Sequence, residues 1–286
     1  MASVRVDVTL PGEIAAWHYE GEQGCVVMAH GFSAVREQRL DAMAERVAAH
    51  GVGVILFDYR SFGASGGEPR QVLDIKRQLE DWRTAIAWAR GHYARVGLFG
   101  SSFGGAHALE LARTEPDIAA AVAQCPFTDG FADAMKIPVP TALKLTRIAL
   151  QDELGSKLGR KPRYVPAVGR PGDVAIMTAP DALPGFEAMT PEGSNWRNRV
   201  AARVGLQTLL YRPGAKAGQV TCPLLVCICE HDSVVSAKAA EKAAHAAPGG
   251  ELMRLPIGHF DVYQGEWLER VASRTGEFLA RHLSSD

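Results

Sequence analysis

The sequence predicts an α/β protein built on a mostly parallel sheet with helices on both faces. Three observations carry this expectation. Short apolar runs at 25–30, 52–58 and 95–100 alternate with longer amphipathic stretches. The runs are continuously apolar rather than alternating, as strands covered on both faces require. The Gly-Ser-Ser-Phe-Gly turn after 95–100 leads straight into a helical pattern, the strand-to-helix step of a βαβ unit.

The elements follow in chain order. Val4 to His18 alternates around Pro11-Gly12 and predicts an antiparallel hairpin at a sheet edge. After the strand at 25–30, Glu37 to His50 is helical, with Leu40, Met43, Ala44 and Val47 on one face. The strand at 52–58 precedes a helix from Gln71 to Arg90, which carries Leu79, Trp82, Ile86 and Trp88. The strand at 95–100, a helix from Ser102 to Arg113 and a strand at 117–125 complete this half. The pattern then breaks. Residues 126–213 hold ten of the sixteen prolines, so long regular elements there are few. Ala142 to Leu158 and Trp196 to Leu209 read as helices, and Arg160 to Gly193 as loop. A Pro-broken stretch buries little apolar surface alone, so it is expected to be an insertion, not a domain. The strand–helix pattern resumes with a strand at 223–229, a helix over 237–247, a strand at 251–255 and a closing helix over 261–283. The expected organisation is a core of 1–125 and 214–286 with a helical and looped lid at 126–213.

Composition narrows the function. A 47% hydrophobic content excludes disorder as the main state. Lys plus Arg is 31 against 32 for Asp plus Glu, so there is no charge excess to hold nucleic acid or an anionic membrane. No apolar run approaches the roughly 18 residues of a membrane span. The N-terminus lacks the apolar stretch of a secretory signal, so a cytoplasmic location is expected. Cys25, Cys125, Cys222, Cys227 and Cys229 lie mostly in apolar runs. They read as inert core thiols, not as metal ligands.

The chemistry centres on Gly100-Ser101-Ser102-Phe103-Gly104, a G-x-S-x-G pattern between a strand and a helix. Such a turn strains its central residue and pushes the Ser102 hydroxyl over the sheet edge. The helix start behind it favours an oxyanion. A serine hydroxyl needs a base oriented by an acid. Of nine histidines, His259 is favoured, because it lies in the loop after the last strand, where sites of open α/β sheets gather. His107 reads as a packing residue. Asp232, just past the strand at 223–229, is the favoured acid, with Glu230 and Asp129 as rivals. The order Ser102, Asp232, His259 is the nucleophile–acid–base order of such sites. His30-Gly31-Phe32 follows a strand end, so the Phe32 N–H is expected opposite the Phe103 N–H as a second oxyanion donor.

These motifs, with Phe57-Asp58-Tyr59-Arg60-Ser61-Phe62-Gly63, Ser65-Gly66-Gly67 and Gly258-His259-Phe260, resemble the α/β-hydrolase superfamily. The similarity is to its dienelactone-hydrolase, acetyl-xylan-esterase and X-Pro-peptidase-like branch. The resemblance implies the α/β-hydrolase fold, an eight-stranded, mostly parallel sheet with the lid after the sixth strand. It implies Ser102 as nucleophile, Asp232 as acid, His259 as base, and Phe32 and Phe103 as oxyanion donors. One departure stands out: Cys229-Glu230-His231 occupies the place where the acid loop usually opens with glycine. A serine at 102 argues against haloalkane dehalogenases and epoxide hydrolases, which use an aspartate there.

No nucleotide or metal motif occurs, so no cofactor is expected. The expected partner is a small-molecule substrate, and a homodimer stays open. Phe127, Phe131, Met177, Phe186, Met189 and Trp196, with Met135, offer an apolar lining in the lid. That lining suits an ester of a small to medium apolar acyl or aromatic group. The same triad serves a thioesterase, lactonase, cyclase or C–C bond hydrolase. Lys157, Arg160, Lys161, Arg163 and Arg170 read as a solvated basic face that would matter only for an anionic, carrier-bound substrate. A non-catalytic binding protein on the scaffold is disfavoured, because such proteins usually lose a triad member.

Overall fold

The computed structural model describes residues 4–284. The ends of the expected core segments, residues 1–3 and 285–286, lie outside the described residues. β1 (Arg5–Leu10) and β2 (Ile14–Tyr19) form the predicted hairpin. β3 (Cys25–Ala29), α1 (Leu40–Ala48), β4 (Gly53–Phe57), α2 (Ile75–Arg90), β5 (Val96–Ser101), α3 (Phe103–Thr114) and β6 (Ile118–Gln124) follow. The insertion contributes α4 (Gly130–Ala134), α5 (Val139–Lys157), β7 (Tyr164–Val165), α6 (Ala182–Met189), β8 (Val200–Ala201) and α7 (Val204–Leu210). β9 (Leu224–Cys229), α8 (Ala237–Ala246), β10 (Gly250–Leu255) and α9 (Gly265–Leu283) close the chain.

Eight strands form one sheet in the order β1-β2-β4-β3-β5-β6-β9-β10. Only β2 runs against the others. Every residue of β3, β4, β5 and β9 is buried, which accounts for their unbroken apolar runs. Alternate residues face opposite layers. Val27, Ile55 and Leu98 meet α2 and α3 through Trp82, Ile86 and Leu109. Val26, Val54 and Phe99 lie in the other core with Met43 of α1 and Phe278 of α9. Because β3, β5, β9 and β10 are parallel, their C-terminal ends share one edge of the sheet. The loops carrying Phe32, Ser102, Asp232 and His259 all leave from that edge.

Local chemistry moves several boundaries. The helix expected from Gln71 begins at Ile75, because the Asp74 carboxylate accepts the Arg77 N–H at 2.9 Å and caps it. The expected loop at 160–193 contains β7 and α6. Pro184 sits in the first turn of α6, where the missing N–H has no helical acceptor in any case. The helix expected over 196–209 is confined to α7. Upstream, the Asn198 side chain clamps the Val168 N–H and C=O at 2.9 Å each, and β8 pairs with β7. The closing helix starts at Gly265, after a 3-10 turn at Asp261–Tyr263 and an extended Gln264.

The insertion is tied to the core at many points. Trp196 Nε1 donates to Ser33 O, Gln38 donates to Thr190, and Gln207 bonds both Asp74 and the Ile75 N–H. Within it, buried Asp152 accepts the Arg163 N–H at 2.6 Å and the Arg203 N–H at 3.0 Å, locking α5 to the start of β7 and the start of α7. No helix among the described residues is long and apolar enough to cross a membrane.

A close backbone approach lies where α3 starts beneath β3. A Cβ on Gly104 would fall 2.6 Å from both Ala29 O and His30 O, which are backbone atoms that cannot yield. Gly104→Ala is therefore expected to destabilise the protein by about 3 kcal/mol, the upper end for overpacking. Gly205→Ala, in α7 with open space around it, should instead be neutral or gain roughly 0.5–1 kcal/mol. Urea unfolding of the two variants checks the contrast.

Candidate active site

The site is built around a strained serine. Ser102 has φ 55° and ψ −114°, a conformation non-glycine residues avoid. Three backbone bonds hold it there. Its N–H donates to Gln124 O at 2.9 Å, and its C=O accepts the Phe127 N–H at 3.0 Å and the Ala106 N–H at 3.3 Å. Behind it, Ser101 Oγ is fixed by the Tyr263 hydroxyl at 2.6 Å and Gln124 Nε2 at 2.9 Å. Ser102 is thus pushed up at the start of α3, as the G-x-S-x-G spacing implied.

Asp232 and His259 meet across 27 residues of sequence. Asp232 Oδ1 accepts the Val234 and Val235 N–H groups, each at 2.8 Å, and Oδ2 bonds His259 Nδ1 at 2.6 Å. Both side chains are almost wholly buried. Burial pulls the His259 pKa down, but the charge and hydrogen bond of Asp232, with Cys125 and Asp181, outweigh it and raise it to about 9. The His259 ring and Ser102 line one small cavity of about 30 Å³, enough for a water or two. The rival acids are occupied elsewhere: Asp129 caps α4 and pairs with Arg212, and Glu230 lies toward Arg254 on the surface.

Opposite the elbow, Gly31 touches the serine: a Cβ there would lie 2.9 Å from Ser102 Cβ. Neither the Phe32 N–H nor the Phe103 N–H has a hydrogen-bond partner among the described residues. The Phe32 and Phe103 rings pack edge to face at 5.6 Å. The loop carrying Phe32 stands on a buried charge cluster. Asp58 accepts the Arg36 N–H at 2.8 Å and lies 3.5 Å from His30 Nε2 and 3.4 Å from Arg36 Nε. Burial would raise the Asp58 pKa, but His30 and Arg36 prevail and hold it below the usual carboxylate range. This explains the Phe57–Gly63 motif: it anchors the loop that faces Ser102.

Above Ser102 opens a cavity of about 560 Å³. Phe32, Phe103 and Phe127 line its base, Val234 and Val235 its acid-loop side, and Leu145, Ala149, Ile176 and Leu206 its roof. A separate open cavity of about 720 Å³ lies by Arg70, Arg197 and Arg199, and neither Ser102 nor His259 reaches it. Among the described residues no cluster of three or more His, Cys, Asp or Glu could hold a metal.

Known proteins match this architecture. The family model described as "Serine aminopeptidase, S33" matches residues 20–164. The quorum-quenching protein AidA of Acinetobacter baumannii is 46% identical over 260 residues, covering 90% of this chain and 86% of that protein. The chain belongs to the S33 family of α/β-hydrolases. This hydrolase also resembles the thiohydrolase aneE of Aspergillus aculeatus, 32% identical over 54% of this chain and 51% of that one. The crystal structure of the α/β-hydrolase GrgF from Penicillium superposes with a TM-score of 0.81, covering 99% of both chains at 23% identity. That similarity shows the shared fold.

The expected apolar lining is divided by the structure. Phe127 and Met177 line the large cavity, and Met177, Phe186 and Met189 line the small one. Phe131 and Met135 do not: they point outward, 55% and 72% exposed, because α4 packs through its other side onto α7. Trp196 misses the serine's cavities too. It stacks on Phe186 at 5.4 Å and closes a wall instead. His107 is a core residue, held by Gln78 and the Tyr211 hydroxyl at 2.9 Å each. Its burial drives its pKa down to about 3. The five cysteines are free and buried. Cys125 lies beside Cys229 and the His259 charge, which hold its pKa down against the rise that burial alone would give. Asp133 was not foreseen in the cavity wall. Burial lifts its pKa to about 6, with Lys136, 3.6 Å away, opposing the rise. A lone Asp in a Pro-broken stretch carries no signal of this.

The Asp232–His259 pair has a measurable signature. The His259 imidazole should titrate near 9 by NMR. In Asp232→Asn it should fall toward or below the ordinary value of about 6.5, since burial then acts with less opposition. As the folded value exceeds the unfolded one, the pair's stabilisation is complete below about pH 6.5. It is lost as pH rises through about 9.

Proposed function

We propose that this hydrolase cleaves a carboxylic ester of a small to medium, largely apolar acyl or aromatic group through an acyl-enzyme on Ser102. The observation that carries this is the 2.6 Å bond from Asp232 to His259 beside a serine held in a strained turn. In this reading His259 Nε2 takes the Ser102 proton as Oγ attacks the carbonyl carbon, and Asp232 holds Nδ1–H. The Phe32 and Phe103 N–H groups, without another partner among the described residues, receive the oxyanion. Collapse expels the alcohol, which takes the proton from His259. Water, deprotonated by His259, then attacks the acyl carbon, and Ser102 leaves with its proton restored. Residues 126–213 act as the lid that shapes acyl selectivity, because α5 and α7 roof the cavity.

A second reading, a thioester or lactone substrate, rests on the relatives named thiohydrolase and quorum-quenching protein. The same atoms perform it, and only the leaving group changes from an alcohol to a thiol or a tethered hydroxyl.

A fluorophosphonate should add once to the wild-type protein by intact mass and not to Ser102→Ala. An unlabelled, folded wild type would rule Ser102 out as the nucleophile. A panel of esters, thioesters and lactones of rising chain length then separates the two readings by kcat/KM. Because only neutral His259 accepts a proton, kcat/KM should rise with pH and level off above about 9. Asp232→Asn should lower kcat by about 10⁴-fold, as loss of the orienting acid does in other triads.

A further inference from the structure

We propose that the arginine-lined cavity between the core and the insertion is a binding site for a small organic phosphate. The inference is independent of the chemistry assigned to Ser102. The cavity holds about 720 Å³, a volume within the range of small-molecule sites. Two segments build it: the core supplies Gly63, Arg70 and Gln71, and the insertion supplies 195–199. Three arginines stand in this lining and no acid does. Arg70 is positioned by the chain itself, since its guanidinium donates to Gly63 O at 2.8 Å and to Ser65 O. The Arg199 guanidinium lies over the Tyr164 ring at 4.7 Å, and the Tyr164 hydroxyl donates to Arg70 O at 2.7 Å. One tyrosine thus ties two of the arginines together. Among the described residues, Arg70, Arg197 and Arg199 form no ion pair. Glu68 accepts the Arg70 backbone N–H at 3.0 Å, and Glu37 accepts the Asn195 N–H at 3.3 Å, but neither acid lines the cavity.

Gln71 is a second, independent sign of a ligand. It is only 2% exposed, yet its side-chain amide has no hydrogen-bond partner among the described residues. Buried amides are nearly always paired. Its backbone is held at φ 60°, where its N–H donates to Ser61 O and its C=O accepts the Ala201 N–H, each at 2.9 Å. Non-glycine residues seldom adopt that conformation, and such strain gathers at ligand clamps. The lining therefore offers guanidinium and amide N–H donors with no carboxylate to compete for them. Guanidinium forks match phosphate oxygens in pairs, and a phosphate has enough oxygens for several donors at once, which a carboxylate has not. The cavity is larger than a lone phosphate needs, so the ion belongs to a larger molecule, with Trp196 in the wall as apolar surface for the rest. The site also touches the loop that carries Phe32. Trp196 Nε1 donates to Ser33 O at 2.9 Å, and Ser33 Oγ donates to Arg199 O at 3.5 Å. A phosphate held by Arg70 and Arg199 braces the insertion against the core and against this loop.

Calorimetric titration of the full chain with phenyl phosphate, inorganic phosphate and acetate, at one ionic strength set with sodium chloride, tests this. One phenyl phosphate should bind per chain, more tightly than inorganic phosphate, and acetate should bind far more weakly than either. Arg197→Ala with Arg199→Ala should weaken phenyl phosphate roughly a hundredfold, about tenfold for each charged donor lost. Both side chains are exposed, so the thermal transition should hold. Gln71→Glu keeps the shape but sets a carboxylate among the arginines. It should abolish phosphate binding and raise the thermal transition of the phosphate-free protein, because its charge takes the anion's place. Arg160→Ala with Lys161→Ala, on the other basic stretch, should leave the affinity unchanged. A wild type that binds neither phosphate overturns the proposal, as does binding that survives loss of Arg197 and Arg199 or persists in folded Gln71→Glu. Acetate binding as tight as phosphate reduces the site to general charge attraction and overturns it too. Equal affinity for inorganic and phenyl phosphate overturns the organic ligand, and loss of binding in the Arg160 and Lys161 variant moves the site elsewhere.

Discussion

The structure hangs on the contact between the first turn of α3 and the end of β3. Gly104 lies so close to Ala29 O and His30 O that no side chain fits between them. This approach lets α3 start directly under the sheet edge, and Ser102 absorbs the cost in a left-handed conformation. It also brings Gly31 against Ser102, so the Phe32 N–H and the start of α3 border the same space. A looser junction would leave the hydroxyl and the two N–H groups unable to act on one atom.

Buried charge holds the remaining geometry. Asp58 gathers His30 and Arg36 beneath the Phe32 loop, and Asp232 gathers two backbone N–H groups and His259 at the other rim. Each carboxylate is desolvated, so each needs nearby donors, and supplying them orders a loop. Opposite environments split the histidines: His107, among neutral groups, stays unprotonated, while His259, beside Asp232, is pulled toward the cation. One fold thus holds a packing histidine in the core and an Asp-paired one at the rim beside the same serine.

The insertion works on two sides. Its inner side roofs the cavity with Leu145, Ile176 and Leu206, and its outer side exposes the leucine stripe of α5. Helix α5 thus carries apolar residues on two sides, with Lys144, Arg147, Gln151 and Lys157 exposed among them. The anchors at Asp152, Asn198 and Trp196 fix this segment to the core through polar bonds, leaving its apolar groups for the cavity and the outer face.

What the sequence determined by itself was the core. Unbroken apolar strands, amphipathic helices and the turn at Gly100–Gly104 are local patterns, and the sheet, the elbow and the loops at Phe32, Asp232 and His259 follow from them. In the insertion, local pattern was a poor guide. Phe131 and Trp196 have the same apolar character as Phe127 and Phe186, yet one points outward, one closes a wall, and two face the serine's cavities. The helix expected from Trp196 gave way to a strand because Asn198 found its partner at Val168, 30 residues back. The raised His259, the lowered Cys125 and the buried Asp133 likewise depend on groups distant in sequence. Only the tertiary structure decided these, because burial and pairing belong to neighbours in space, and a Pro-broken segment has no periodicity from which to read them.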